Sequence, residues 1–151
     1  MPRKTKSTKQ RDAAERLADI FTILHRNFVT NLSRELTRGN VSFSQYFLLG
    51  YLSQTASLSM TEIAARMGHT TAAATGLVDR LENLGYAKRN HAKEDRRKIL
   101  VAITASGRTL VEKVRSDMVS NLLKLMQHLT QEEQTYWLRI YEKIIAVEPR
   151  S

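Results

Sequence analysis

The sequence predicts a mainly α-helical fold carrying one small β-hairpin, and three observations lead there. Apolar residues recur at three- and four-residue spacing through most of the 151 residues, the period of amphipathic helices. After Gly85 that period gives way to two short runs, 87–91 and 98–104, which read as the strands of a hairpin. Between Lys88 and Lys98 the chain holds six Lys or Arg against two acids, directly before the apolar, β-branched run Ile99-Leu100-Val101-Ala102-Ile103. A cationic loop hung on a buried strand, with two short helices before it, is the pattern of a winged helix-turn-helix.

The elements follow in order. Residues 1–11 carry Arg3, Lys4, Lys6, Lys9 and Arg11 with almost no apolar content, and are expected to be a disordered basic tail able to touch phosphates. Residues 12–151 are expected to form a single domain. Its first helix starts at Asp12 and aligns Leu17, Ile20, Phe21, Leu24, Phe28 and Leu32 in one stripe, with Arg38-Gly39-Asn40 as its stop. Ser42-Phe-Ser-Gln45 has the form of a capping box and opens a second helix through Tyr46, Phe47, Leu49 and Leu52. Ser59-Met-Thr-Glu62 is another, opening a short helix that turns Ile63, Ala64 and Met67 inward and ends at Gly68. Thr70 or Thr71 caps the next helix, which buries Ala74, Leu77, Val78, Leu81 and Leu84 and stops at Gly85. Past the hairpin, Val111, Val114, Met118, Leu122, Leu125 and Leu129 form a long stripe; Thr130-Gln-Glu-Glu133 then caps a last helix with Trp137, Tyr141, Ile144 and Ile145.

Composition narrows the partners. Lys and Arg number 24 against 15 acids, a net charge of +9 that favours a polyanion. Cysteine is absent, which excludes disulfides, thiolate–metal sites and thiol-based peroxide sensing. Gly39 to Thr61 runs 23 residues without charge, but ten of them are Asn, Ser, Gln or Thr, too polar for a spanning helix. No apolar stretch follows the Met1-Pro2-Arg3-Lys4 start, so a cytoplasmic protein without a membrane role is expected.

The chemistry of the two candidate reading elements differs. Opposite Leu77 and Leu81, the fourth helix presents Ala72, Thr75, Gly76, Asp79 and Asn83, with Arg80 at the edge. Small residues let a helix approach base edges, and Ala or Thr methyls can touch thymine methyls. Asp79 would repel phosphate, so it is expected to orient a basic side chain; the alternative is that Asp79 and Arg80 are plain surface charges. In the hairpin loop Asp95 precedes Arg97 by two residues, and its carboxylate can aim the guanidinium. A guanidinium so aimed suits the narrow, electronegative minor groove of A·T-rich DNA.

Taken as a set, Thr71-Ala-Ala-Ala-Thr-Gly-Leu-Val-Asp-Arg-Leu-Glu82, Leu84-Gly85-Tyr86, Asp95-Arg-Arg97 and Ile103-Thr104-Ala-Ser-Gly107 resemble the MarR family of bacterial and archaeal transcription regulators. The resemblance covers residues 12–147. It implies a homodimer, commonly a repressor, in which helices of 12–38 and 105–147 interlock, while 42–104 form the winged helix-turn-helix that binds a palindrome in double-stranded DNA. Its implied DNA contacts are Thr70, Thr71, Ala72, Thr75, Gly76 and Arg80 on the helix, with Lys93, Asp95, Arg96 and Arg97 on the wing. Gly76 stands where many members carry Arg or another polar residue, which takes away one side chain for a base or phosphate. The family also implies a small phenolic or other aromatic effector, for which His25 and Phe47 are candidate lining residues; a half-exposed surface histidine is the plainer reading of His25.

Dimerisation has support in the residues themselves. The stripes through Leu17 and Phe21, through Met118 and Leu122, and through Trp137, Tyr141 and Ile144 are too much apolar surface for one small winged domain to cover. Enzymatic readings find little. His25, His69, His91 and His128 are scattered without metal-ligand spacing, and the six glycines form no phosphate loop or nucleophile elbow. No catalytic residue, metal or cofactor is expected. A protein that coats DNA without sequence choice fits the charge but not the reading helix, and a membrane-surface protein lacks the cationic amphipathic helix it needs.

Overall fold

The computed structural model describes residues 3–92, 95 and 98–147, with side chains from residue 8 onward apart from 27–29, 31, 33–35 and 38. In chain order these residues form α1 (Arg3–Arg38), α2 (Phe43–Ser53), β1 (Leu58–Ser59), α3 (Met60–Met67), α4 (Thr71–Asn83), β2 (Ala87–His91), β3 (Ile99–Ile103), α5 (Ala105–Met126) and α6 (Gln131–Val147). The structure is thus mainly helical with one small antiparallel sheet, as the periodicities predict.

Local signals explain most boundaries. Ser42 accepts from the Gln45 N–H at 3.3 Å while the Gln45 side chain accepts from the Ser42 N–H at 2.8 Å, so the capping box opens α2. Ser59 and Glu62 do the same for α3, and Thr130 and Glu133 for α6. Thr70 rather than Thr71 caps α4, accepting from the Ala73 N–H at 3.3 Å. Gly68 ends α3 with φ at +62°, the left-handed conformation that costs glycine least. There His69 N–H donates to the Ala64 carbonyl at 2.9 Å and turns the chain sharply into α4.

Two boundaries differ from the sequence reading. α1 begins at Arg3, not Asp12, so the segment expected as a disordered tail is helical from Arg3. No Gly or Pro interrupts Arg3–Arg38, Lys, Arg and Gln are good helix formers, and Arg11 pairs with Glu15 one turn on at 3.0 Å. Extending an existing helix adds one hydrogen bond per residue without a new nucleus. At the other end of α1 the left-handed residue is Asn40, with φ at +53°, and not Gly39. Asn40 and Val41 donate back to Thr37 and Leu36 at 3.1 and 2.9 Å, closing the helix. Gly39 instead lies against α5, where an added Cβ would come within 3.0 Å of the Leu110 side chain.

The sheet has the order β1-β3-β2. β2 and β3 pair from Ala87 opposite Ile103 to His91 opposite Ile99, and β1 adds Leu58 opposite Val101. At two residues β1 is too short to show a period, and the sequence reading lacks it. Its Leu58 and the strand residues Ala87, Val101 and Ile103 close one side of a core completed by Leu48, Leu49, Leu52, Ile63, Ala64, Ala74, Val78 and Leu81. A smaller cluster of Leu32, Leu36 and Val114, with Phe43, Tyr46 and Leu110 against it, ties α1 and α5 to α2.

Outside these clusters most of the described apolar side chains of the long helices are exposed. α6 has no buried residue, and Tyr136, Leu138, Ile140, Tyr141, Ile144 and Ile145 are all exposed. Leu17, Ile20, Phe21, Ile23 and Leu24 of α1 and Val119, Leu122, Leu123 and Leu125 of α5 are exposed as well.

Candidate nucleic-acid interface

α3 and α4 meet across the Gly68 turn, and the burial of Ala74, Val78 and Leu81 fixes which side of α4 faces out. Thr71, Ala72, Ala73, Gly76, Asp79, Arg80 and Asn83 are exposed, while Thr75 is half-buried. No acidic residue lies in the first turn of α4, so its unpaired N–H groups and positive dipole end are available to an anion. The Thr75 hydroxyl donates to the Thr71 carbonyl at 2.8 Å, which occupies its proton and leaves its methyl and lone pairs to the surroundings. A Cβ on Gly76 would meet nothing within 4 Å, so the surface stays open at the middle of this face.

The hairpin is fastened to that helix. Arg89, in the middle of β2, sends Nη2 to Asp79 Oδ1 at 2.6 Å and Nη1 to Glu82 Oε2 at 2.5 Å. Its backbone N–H also donates to Glu82 Oε1 at 3.1 Å. Burial works against the Arg89 charge, but the hydrogen bonds and charges of Asp79 and Glu82 outweigh it and raise the guanidinium's pKa. Asp79 therefore does orient a basic side chain. The sequence alone does not reveal which one, because Arg89 lies on the next element and Glu82 carries no separate signal.

At the base of the hairpin, Thr104 N–H donates to the Tyr86 carbonyl at 3.0 Å, and the Tyr86 hydroxyl donates to the Gly39 carbonyl at 3.2 Å. The wing is thereby tied to the α1–α2 turn and to the start of α5. Toward its tip, the Ala92 N–H donates to the Lys98 carbonyl at 2.9 Å, and the Lys98 N–H donates to the Asp95 carbonyl at 2.9 Å. Lys93, Arg96 and Arg97, three of the expected wing contacts, lie outside the described residues.

The remaining candidates divide as follows. Leu17, Phe21, Leu122, Tyr141 and Ile144 are exposed, and Met118 and Trp137 are half-buried. His25 stacks on Phe21 with ring centroids 6.2 Å apart, and Phe47 is exposed beside Tyr46. An apolar groove of about 460 Å³ lies between α5 and α6, lined by Leu122, Met126, Trp137, Leu138 and Tyr141 among others; neither His25 nor Phe47 lines it. Among the described residues, no three His, Asp or Glu side chains are grouped to hold a metal ion, and no helix is long and apolar enough to cross a membrane.

Comparison with known proteins supplies the family. The model of the MarR family matches residues 40–98, from the α1–α2 turn through the wing. The transcriptional repressor MdtR of Bacillus subtilis is 31% identical over 109 residues, which cover 72% of this chain and 70% of MdtR. The chain belongs to the MarR family.

This MarR-family chain also shares its fold with solved structures. The YusO protein of B. subtilis superposes with a TM-score of 0.78 at 26% identity, over 93% of this chain and 98% of that one. A Staphylococcus aureus MepR–DNA complex superposes with a TM-score of 0.73 at 23% identity, over 85% of this chain and 97% of MepR. Alignments to two other B. subtilis regulators are shorter, and take in 59% and 50% of those proteins' lengths.

Proposed function

We propose that this MarR-family chain is a homodimeric transcriptional repressor that binds an A·T-rich palindrome in double-stranded DNA and has no catalytic activity. The observation that carries the reading is the joining of α4 to the wing: an exposed helix face of small residues is bonded, through Arg89, to a hairpin with a cationic loop. The exposed part of α4 fits the major groove, where Thr70, Thr71, Ala72, Thr75, Gly76 and Arg80 meet bases and phosphates. The loop with Lys93, Asp95, Arg96 and Arg97 runs along the backbone to the flanking minor groove. MepR, solved with DNA, supports this docking by its shared fold.

Residues 12–38 and 105–147 are the dimerisation region in this proposal. Support comes from the exposed apolar residues of α1, α5 and α6, which no other described residue of the protomer covers. A second copy does so by laying its first helix against Trp137 and its neighbours. A small aromatic or phenolic anion then acts as effector near His25 and Phe47, where dimer helices approach the winged region.

Genome-wide recovery of bound fragments followed by footprinting tests the proposal. A discrete protected palindrome is expected; uniform coating of all fragments would refute sequence-specific regulation.

A further inference from the structure

Resting on the reading of α4 and the wing as one DNA-binding unit, a further role falls to a residue outside both contact surfaces. We propose that Arg89 is a positioning residue that sets the angle between the recognition helix and the wing, and so lets both grooves be engaged in one register. Its guanidinium spans two carboxylates a turn apart on α4, Asp79 and Glu82, and the strand's own N–H adds a third bond. The Arg89 side chain is only 24% exposed, against 53% and 38% for those of Asp79 and Glu82. It is spent on the protein, not offered to phosphate. Lys could not copy this arrangement, because one ammonium lacks the planar fork that meets two carboxylates at once.

Leverage explains why a bond at this place matters. Arg89 lies opposite the fully buried Val101, at the middle of the hairpin. From there to Ala92, where the loop begins, the chain reaches about 10 Å, at roughly 3.3 Å per residue. A tilt of about 10° at Arg89 therefore moves the start of the loop by about 2 Å over that reach, more than the tolerance of a hydrogen bond. The core fixes α4 from one side, and the β3 ladder fixes β2 from the other. Arg89 closes the remaining freedom between them.

Electrostatics alone makes the opposite prediction. Two carboxylates and one guanidinium leave the trio with a net negative charge beside a polyanion. If the trio acted only through charge, removing the carboxylates would tighten binding to every DNA alike.

Two measurements separate these ideas. The chain has no cysteine, so Ala72→Cys and Asn90→Cys can carry a pair of spin labels without background. Without DNA, the label distance should be narrowly distributed with Arg89 present, broad in Arg89→Ala and intermediate in Arg89→Lys. An unchanged distribution in both variants overturns the proposal. In DNA binding, the double variant Asp79→Asn, Glu82→Gln should gain affinity for random DNA yet lose about tenfold in its operator-to-random ratio, the scale of one lost base-pair position. Equal gains on both DNAs also overturn it. Should the unmodified protein fail to distinguish operator from random DNA, the regulatory reading fails instead, and the label distances still decide the role of Arg89.

Discussion

Ile144→Ala is expected to weaken the homodimer about fifty-fold. Ile144 is 50% exposed in the protomer, on a helix without a single buried residue. The substitution removes three carbons, and each buried CH₂ is worth about 0.8 kcal/mol, so full burial would give about 2.4 kcal/mol. Half of that is already realised within the protomer, leaving about 1.2 kcal/mol for the partner to bury. A two-fold interface counts each substitution twice, which returns about 2.4 kcal/mol per dimer. At about 1.4 kcal/mol per decade this is about 1.7 decades, or about fifty-fold, in the dimer dissociation constant. Sedimentation across a nanomolar-to-micromolar dilution series reads it directly, and circular dichroism checks that the helices persist. A dimer of unchanged affinity would refute the placement of Ile144 in the interface. A folded monomer of the unmodified protein at micromolar concentration would remove the interface altogether.

Further outcomes follow from the same geometry. With six to ten phosphate contacts per dimer, operator affinity should fall by about 10³–10⁵ between 50 and 200 mM salt; a flat response in a filter-binding titration would point to a partner other than DNA. Arg97→Ala should leave the dimer intact and cut the preference for A·T over G·C flanks by about 1–3 kcal/mol, with Asp95→Asn milder, because it keeps the cation but loosens its aim. A mutant that keeps full affinity and preference would reduce Arg97 to a solvated charge. Glu62 is held below the ordinary glutamate range, first by its hydrogen bond from the Ser59 hydroxyl and then by the Ser59 N–H. A depressed carboxylate adds stability above its unfolded pKa and loses it as pH falls through the folded value. Acid melts should accordingly be shallower for Glu62→Gln than for the unmodified chain, and parallel curves would exclude this cap from the acid response.

Much of the architecture is decided by local chemistry that a sequence displays. Ser42 with Gln45, Ser59 with Glu62 and Thr130 with Glu133 each join residues three apart, so the capping boxes need no tertiary partner to be recognised. The same holds for the inward residues of α4, because helical period alone puts Ala74, Val78 and Leu81 on one side. The hairpin strands are legible from the change of period after Gly85, and the MarR resemblance from motifs within continuous segments. Tertiary structure decides what depends on distant neighbours. Gly39 packs close to Leu110, far along the chain, only because the fold lays α5 beside it. β1 exists because β3 offers it an edge, since two residues carry no period of their own. Asp79 shows its charge in sequence but not its partner: the fold carries Arg89 back over α4, where one guanidinium bridges Asp79 and Glu82. Spacing along a chain encodes contacts within a helix or strand, whereas a contact between elements depends on how the core sets their angle, and no local pattern records that.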